Sequence, residues 1–249
     1  MHACPSDVPM NKQATVVLIH GLFGFRKLLW VEYFQGIPAL YESMGLRVIV
    51  PRLPCVGSLE QRAKALAFQL EEEVGPLHLV GHSMGGLDAR YFINHLNGAK
   101  KVATLTTLVT PHRGSSAADY VCNRGSPFKL LPGVRSLTRE SVQRFNAHTA
   151  DLPNIVYRSY SAMRVLDEQP WIVQRYARYI QSQEGDNDSQ VSIASALWGE
   201  HLKTLPCDHF EIIFKDLWMN PFRSRKTYNP MHVYSEIGAW ILHFEAAKQ

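Results

Sequence analysis

A five-residue turn, Gly81-His82-Ser83-Met84-Gly85, constrains the fold of this chain more than any other feature. An apolar run at 77–80 precedes the turn, and apolar residues at helical spacing follow it. A G-x-S-x-G sequence between a strand and a helix places the serine hydroxyl above the edge of a sheet, and glycine occupies the crowded flanking positions. The pattern predicts that Ser83 is a nucleophile. The competing interpretation is a tight strand–helix turn with an incidental serine.

The rest of the chain alternates between apolar runs and helical periodicities. We predict strands at 15–19, 46–51, 77–80 and 102–109, weaker strands at 155–157 and 202–205, and helices at 30–43, 58–74, 89–96 and 233–244. This alternation is typical of an α/β protein in which a mostly parallel central sheet is flanked by helices. We therefore predict one domain, residues 1–249. Residues 115–150, whose apolar positions form no single stripe, are predicted to be an insertion on the sheet.

Composition excludes several classes of protein. Hydrophobic residues make up 46% of the 249 residues and charged residues 19%, which argues against disorder and allows a large core. The net charge is only +4 and the basic residues are spread along the chain, so nucleic acid is not an expected partner. The four cysteines lack zinc-site spacing and are expected to be reduced and mostly buried. No signal peptide or membrane-spanning run is visible, which favours a cytoplasmic protein over leaderless export or a mature secreted form.

A nucleophilic serine needs a histidine base and an oriented acid, which follow it in the order acid, then histidine, in a sheet of this kind. Among the later histidines, His209 lies in a loop directly after the 202–205 strand, where a catalytic base is expected. Asp188, in the turn-rich segment 185–191, is the preferred acid, with Asp186 and Asp167 as competitors. An ordinary role in a turn or a helix cap is the alternative for each aspartate.

The attack on a carbonyl creates an oxyanion, which backbone N–H groups must stabilise. Met84, directly after the serine, is one expected donor, and Leu22, in the loop after the first strand, is the other. Phe23 and Phe25 lie beside this loop and are expected to face the substrate. A further apolar group either lines an acyl pocket or anchors the insertion to the core; it consists of Phe128, Leu130, Leu131 and Val134.

Several motifs together resemble the bacterial true lipases and the related fungal triacylglycerol lipases. They occur in order between about residues 15 and 215, at 20–25, 33–38, 81–86, 110–115, 187–188 and 208–209. The resemblance implies an α/β-hydrolase fold with a lid or cap formed by the 115–150 insertion. It also implies that Ser83 is the nucleophile, Asp188 the acid and His209 the base. The backbone amides of Leu22 and Met84 would form the oxyanion hole.

The chain departs from these lipases around the histidine. Many bacterial members hold a calcium ion there, and the matching ligand positions here are Asp167 and Glu211, the latter replacing an aspartate. Lys215 stands where a glutamine carbonyl would contribute, and Ala194 replaces a disulfide cysteine. Because calcium needs several oxygen ligands, these changes weaken the prediction of a calcium site. Ser189 replaces the glycine that usually follows the acid.

These observations predict a serine hydrolase, best described as a triacylglycerol lipase, that cleaves carboxylic esters of lipophilic acyl chains through an acyl-enzyme. No organic cofactor is required, and calcium is the one candidate ion. The partners expected are a lipid or ester substrate and a transient lipid interface. The alternatives are a short-chain carboxylesterase, a phospholipase A1, a thioesterase or a transacylase, which share the same chemistry. A catalytically inactive binding module is the alternative from another class.

Overall fold

The computed structural model describes residues 13–24, 27–28, 31–169, 171–213 and 228–248. Within these ranges six parallel strands form one sheet in the order β4-β1-β5-β6-β7-β8. The strands are β1 (Thr15–Ile19), β4 (Arg47–Ile49), β5 (Leu77–His82), β6 (Val102–Leu108), β7 (Val156–Ala162) and β8 (Glu200–Leu205). Two short strands, β2 (Lys27–Leu28) and β3 (Val31–Glu32), pair separately. The predicted α/β class and mostly parallel sheet are confirmed.

Nine α-helices are described in the same ranges. They are α1 (Ile37–Ser43), α2 (Leu59–Gln69), α3 (Met84–His95), α4 (Ser116–Asn123), α5 (Pro132–Ser136), α6 (Arg139–Ala147), α7 (Gln174–Glu184), α8 (Ile193–Ala196) and α9 (Met231–Ala246). None of them combines the length and the apolar character needed to cross a bilayer.

The interior strand β1 is buried on both faces because its side chains alternate between two apolar layers. Val16 and Leu18 belong to the layer that includes residues of α1 and α9. Val17 and Ile19 belong to the opposite layer, which includes residues of α2 and α3. The edge strand β8 is largely exposed. The interior strands β1 and β5 are therefore fully buried, whereas the edge strand β8 is more open.

Two of the predicted helices differ from the structure at their ends. The helix predicted at 30–43 begins only at Ile37, because Gly36 has a φ of 73° and Pro38 lies in the first turn. The preceding residues include the short strand β3. Helix α2 has the predicted capping box between Ser58 and Gln61 but ends at Gln69 rather than near 74.

The 115–150 insertion is folded as short helices. Helices α4, α5 and α6, with a 3₁₀ turn at Pro127–Leu130, follow one another there. Tyr120 of α4 packs against the rings of Tyr176 and Tyr179 of α7, which ties the insertion to the rest of the chain.

The cysteines differ from the sequence prediction in their exposure. Cys55, Cys122 and Cys207 are the cysteines within the described residues. Only Cys207 is buried, whereas Cys55 is exposed and Cys122 is half-buried. The expectation of mostly buried thiols is therefore wrong, because Cys55 lies in a surface turn. Cys4 lies outside the described residues.

Candidate active site

Ser83 occupies a strained turn between the buried strand β5 and helix α3. Its φ of 54° and ψ of −127° are unfavourable for a residue with a side chain, as expected for a nucleophile on a sharp turn. A Cβ atom on Gly85 would lie 2.2 Å from the carbonyl oxygen of Ile19, so only glycine fits at that position. The Thr110 hydroxyl donates to the carbonyl oxygen of Ser83 over 2.7 Å and braces the turn.

Ser83, His209 and Asp188 form a continuous hydrogen-bonded chain. The Ser83 Oγ lies 2.9 Å from Nε2 of His209, and Nδ1 of His209 lies 2.7 Å from Oδ2 of Asp188. An ionised carboxylate only accepts hydrogen bonds, so Nδ1–H donates to Asp188 and the unprotonated Nε2 accepts from the Ser83 hydroxyl. All three residues are buried, with Asp188 at 0% exposure. The arrangement can move a proton from the serine to the histidine.

The loop that carries Asp188 fixes its carboxylate. Oδ1 of Asp188 accepts hydrogen bonds from the backbone N–H groups of Gln190 and Val191, at 2.9 and 2.7 Å. The backbone N–H of His209 donates to the carbonyl oxygen of Asp188 over 2.8 Å. Ser189 adopts a φ of 89°, which explains why glycine is usual at this position in the lipases that the chain resembles.

The competing aspartates lie elsewhere. The carboxylate that contacts His209 is that of Asp188, whereas Asp186 and Asp167 both line a second cavity of about 270 Å³. Asp167 belongs to a short 3₁₀ helix at Leu166–Glu168.

The predicted oxyanion donors lie on either side of the serine. The Met84 amide opens helix α3, directly after Ser83. Gly21 approaches the serine so closely that an added Cβ would lie 2.8 Å from the Ser83 Cβ, which places the neighbouring Leu22 beside the nucleophile. Neither the Leu22 nor the Met84 N–H donates a hydrogen bond within the described part of the chain. Both groups are therefore available to stabilise a developing negative charge.

A second hydrogen-bonded chain connects three segments: the loop after β1 that carries Leu22 (the oxyanion loop, residues 20–24), the turn at Ser83 and the loop that carries His209. Nε2 of His82 lies 3.1 Å from the carbonyl oxygen of His209, so Nε2 must carry the proton and donate it. Burial holds the pKa of His82 well below its usual value, so its Nδ1 is unprotonated and accepts from the Tyr33 hydroxyl at 2.9 Å. The Tyr33 oxygen in turn accepts from the Gly21 N–H. Sequence reasoning assigned no role to Tyr33 or His82, although both lie within the motifs of the resemblance.

A buried ion pair contacts the backbone of the oxyanion loop. Arg62 of α2 and Asp88 of α3 are both fully buried, with Nη2 and Oδ2 2.8 Å apart. The Arg62 guanidinium also donates to the carbonyl oxygens of His20 and Pro54. Burial and the adjacent Arg62 lower the pKa of His20 to about 4, so its ring is neutral. Nδ1–H of His20 donates to the Gly21 carbonyl and Nε2 accepts from the Leu53 N–H.

A cavity of about 460 Å³ opens above Ser83 and His209. Leu22 and Phe23 line it on one side, and the insertion covers the other with Ala117, Ala118, Val121, Phe128, Val134 and Leu137. Phe128 and Val134 therefore line the pocket, one of the two roles considered for them, whereas Leu130 is exposed and Leu131 is partly buried outside the lining. Phe25 lies outside the described residues.

The residues expected for calcium do not fit a calcium site. Nη2 of Arg164 lies 2.6 Å from Oε2 of Glu211, and the same oxygen accepts the Asp208 N–H. A divalent cation bound by Glu211 would therefore meet a guanidinium that is already paired with it. Within the described ranges no group of three or more His, Cys, Asp or Glu residues is arranged to hold a metal ion. Lys215 lies outside those ranges.

Comparisons with known proteins agree with this geometry. Residues 16–233 match the sequence profile of the alpha/beta hydrolase family. The chain is 36% identical over 229 residues to triacylglycerol lipase 2 of Saccharomyces cerevisiae, covering 80% of this chain and 69% of the yeast protein. It is also 36% identical over 125 residues to a triacylglycerol lipase of Vibrio cholerae, covering 48% of this chain and 39% of that protein.

A solved structure shows the same fold. The crystal structure of Staphylococcus hyicus lipase superposes on this chain with a TM-score of 0.77, covering 98% of this chain and 99% of the lipase. The sequence identity of that pair is 16%, so the likeness concerns the fold alone.

Proposed function

The chain belongs to the alpha/beta hydrolase family, and we propose that it is a serine hydrolase of lipophilic carboxylic esters, with acylglycerols as its substrate class. The observation that carries the proposal is the hydrogen-bonded chain from Ser83 through His209 to Asp188, which opens into a largely apolar cavity. Relatives at 36% identity are named triacylglycerol lipases, which supports the same substrate class.

The proposed reaction begins at the ester carbonyl. His209 Nε2 accepts the Ser83 proton as Oγ attacks the carbonyl carbon, and the carboxylate of Asp188 stabilises the imidazolium that results. The carbonyl oxygen becomes an oxyanion that accepts hydrogen bonds from the Leu22 and Met84 amides. The tetrahedral intermediate then collapses, and the alcohol leaves with the proton from His209. Water attacks the acyl-enzyme in the same way, which releases the fatty acid and restores Ser83.

The cavity supports an apolar acyl chain as the group that is bound. Its lining consists mainly of aliphatic and aromatic side chains, and Ser83 and His209 are among its few polar groups. Burial of apolar surface provides binding free energy of roughly 25 cal/mol per Å², so each methylene of a chain that enters this cavity adds to affinity. A lipophilic ester would place its carbonyl at Ser83 and its chain against the apolar side chains of the lining.

We also propose that the insertion at 115–150 is a cap that contacts a lipid interface. Phe128 and Leu130 at its tip expose 52% and 65% of their surface, and Phe128 meets Phe23 edge to face at 6.3 Å across the cavity. Residues 120–138 contain no acidic side chain but include Arg124, Lys129 and Arg135. Apolar residues beside cationic ones suit a surface of lipid headgroups.

The experiment is hydrolysis of p-nitrophenyl esters from acetate to palmitate by the native chain and by Ser83→Ala. We expect the native chain to cleave long-chain esters and Ser83→Ala to be inactive on all of them. Cleavage of short chains only would replace the lipase proposal with a short-chain esterase. Equal inactivity of both proteins on every ester would contradict the proposal and favour a binding module.

A further inference from the structure

A buried arginine lies between the loop that carries Asp188 and the loop that carries His209. The Arg164 side chain is 8% exposed and follows strand β7, next to the edge strand β8. Its backbone N–H donates to the Asn187 carbonyl, one residue before Asp188. The Gln169 side-chain amide donates to the carbonyl oxygens of both Arg164 and Asn187, at 2.7 and 3.1 Å. The backbone of Arg164 is thereby fixed to the acid loop.

The guanidinium of Arg164 reaches the other loop. Nη2 lies 2.6 Å from Oε2 of Glu211, whose side chain is 7% exposed. Oε2 of Glu211 also accepts the Asp208 N–H at 2.8 Å. The Asp208 carboxylate accepts the N–H groups of Phe210 and Glu211, so the loop closes around His209. The carboxylate of Glu211 thus holds the residue before His209 and is itself held by Arg164.

We propose that Arg164 is a positioning residue for His209. Its guanidinium pairs with Glu211 and so holds the loop that carries His209 against the loop that carries Asp188. This is the place where related bacterial lipases bind calcium. The guanidinium of Arg164 is a positive charge fixed to the chain itself, and it neutralises the carboxylate of Glu211. The ion pair is buried, so it is only weakly screened by salt. The inference rests on the proposed function only in taking His209 as the base.

The geometry explains why the Arg164–Glu211 ion pair matters to the reaction. Within the described residues two side-chain hydrogen bonds orient the His209 ring, one to Ser83 and one to Asp188, and the rings of His82 and Phe210 pack against it. A displacement of about 1 Å at a catalytic group reduces a rate by roughly 100-fold. Because the ring is carried by a loop after an exposed edge strand, the loop itself needs a brace.

The test compares Arg164→Met, Arg164→Lys and Glu211→Gln with the native chain. Arg144→Met is the matched control, because Arg144 forms an exposed ion pair with Glu140 within helix α6. Two measurements are made on each protein: kcat and KM for a p-nitrophenyl ester, and the low-field proton resonance of the His209 Nδ1–H in NMR spectra. The resonance is assigned by its loss in Asp188→Asn, and it reports on the histidine without any substrate.

We expect Arg164→Met to lower kcat by 10- to 100-fold, to change KM by less than about twofold and to weaken the low-field resonance. Arg164→Lys should recover part of kcat, because it keeps the charge. The double variant Arg164→Met, Glu211→Gln should have the same kcat as Arg164→Met alone, since both substitutions remove the same Arg164–Glu211 ion pair. The control should match the native chain, and neither a calcium chelator nor added Ca²⁺ should change native activity.

Three results would overturn the inference. One is an unchanged kcat and an unchanged resonance in Arg164→Met. The second is a loss of stability in that variant with kcat intact, which would show a purely structural role. The third is native activity that a chelator abolishes and Ca²⁺ restores. If Arg164→Met fails to fold, Glu211→Gln decides by the same measurements, since it nearly preserves shape. If no ester is cleaved, the proposed function fails, and the NMR resonance alone tests whether Arg164 positions His209.

Discussion

The two halves of the candidate active site are built differently. Ser83 and the Leu22 loop, here called the central side of the site, follow β5 and β1, which are adjacent and fully buried interior strands of the sheet. Asp188 and His209 lie on loops near the open edge, beside β7 and β8, and side-chain hydrogen bonds and ion pairs hold them together. Ser83 therefore derives its position from the sheet, whereas Asp188 and His209 derive theirs from polar contacts between loops. Substitutions can test this contrast on each side.

The largest effect should follow a change on the edge side. Asp188→Asn should reduce kcat by about 10⁴-fold, because an amide no longer fixes the His209 tautomer or stabilises the imidazolium. The measurement is kcat on a p-nitrophenyl ester, with circular dichroism as the check on folding. Asp186→Asn is the control and should retain native activity, since Asp186 lines a separate cavity. The opposite ranking of the two variants would assign the acid to Asp186.

On the central side, the largest effect should be on stability. Arg62→Met leaves the fully buried Asp88 without its partner and should cost about 3–5 kcal/mol of unfolding free energy. Urea denaturation measures this quantity. Arg47→Met, which breaks the exposed pair with Glu73, should cost less than about 1 kcal/mol. Equal costs for the two variants would contradict the view that the oxyanion loop depends on a buried ion pair.

Acid should destabilise the centre of the molecule. Burial lowers the pKa of both His20 and His78 to about 4, whereas in the unfolded chain each titrates near 6.5. A depressed folded pKa means that the unfolded state binds more protons between these values, so stability is full above pH 6.5 and falls as pH drops towards 4. Each histidine contributes about 3 kcal/mol to this loss. The slope of unfolding free energy against pH should flatten in His78→Gln, and an unchanged slope would exclude His78 as a contributor.

A smaller effect should come from the chain that joins the two halves. Tyr33→Phe removes the hydroxyl between Gly21 and His82 and should lower kcat by roughly 10-fold, the cost of about 1.4 kcal/mol for a buried hydrogen bond. KM should change little. Tyr41→Phe is the matched control, because the Tyr41 hydroxyl is buried and has no hydrogen-bond partner in the described part of the chain. Similar kcat values for both variants would remove Tyr33 from the positioning network.

The smallest effect should be a gain in stability on replacing Ser189. Ser189 has a φ of 89°, and its buried hydroxyl has no hydrogen-bond partner among the described residues. Ser189→Gly should therefore raise the unfolding free energy by about 1 kcal/mol, since glycine adopts positive φ without steric cost. Urea denaturation at neutral pH provides the measurement. A loss of stability would mean that strain in the acid loop is relieved by contacts of the serine side chain.

Much of the central side could be predicted from the sequence, because its signals are local. The apolar strand, the G-x-S-x-G turn and the capping box at Ser58 each lie within a few neighbouring residues. The predicted helix at 30–43 failed for a local reason as well, since Gly36 at positive φ delays its start to Ile37. The expected order of acid and histidine restricted the search to residues after Ser83, and the loops at 185–191 and 206–211 favoured Asp188 and His209, which the structure brings into contact.

The polar contacts between loops could not be predicted in the same way. Arg164 and Glu211 are 47 residues apart, and Tyr33 and His82 are 49 apart. Neither pair has a periodicity or a spacing that marks it, because the contacts arise only when the strands are ordered in the sheet. The resemblance to calcium-binding lipases directed attention to Glu211, but it identified a ligand position and gave no indication of the arginine.

Covalent labelling tests most directly whether Ser83 is an activated nucleophile. The native chain is treated with diethyl p-nitrophenyl phosphate, which forms a stable phosphoester with an activated serine, and the modified peptide is identified by mass spectrometry. We expect one phosphoryl group per chain, located on Ser83, and no modification of Ser83→Ala or, at the same reagent concentration, of His209→Gln. An unmodified native chain, or a label on another residue, would contradict this expectation.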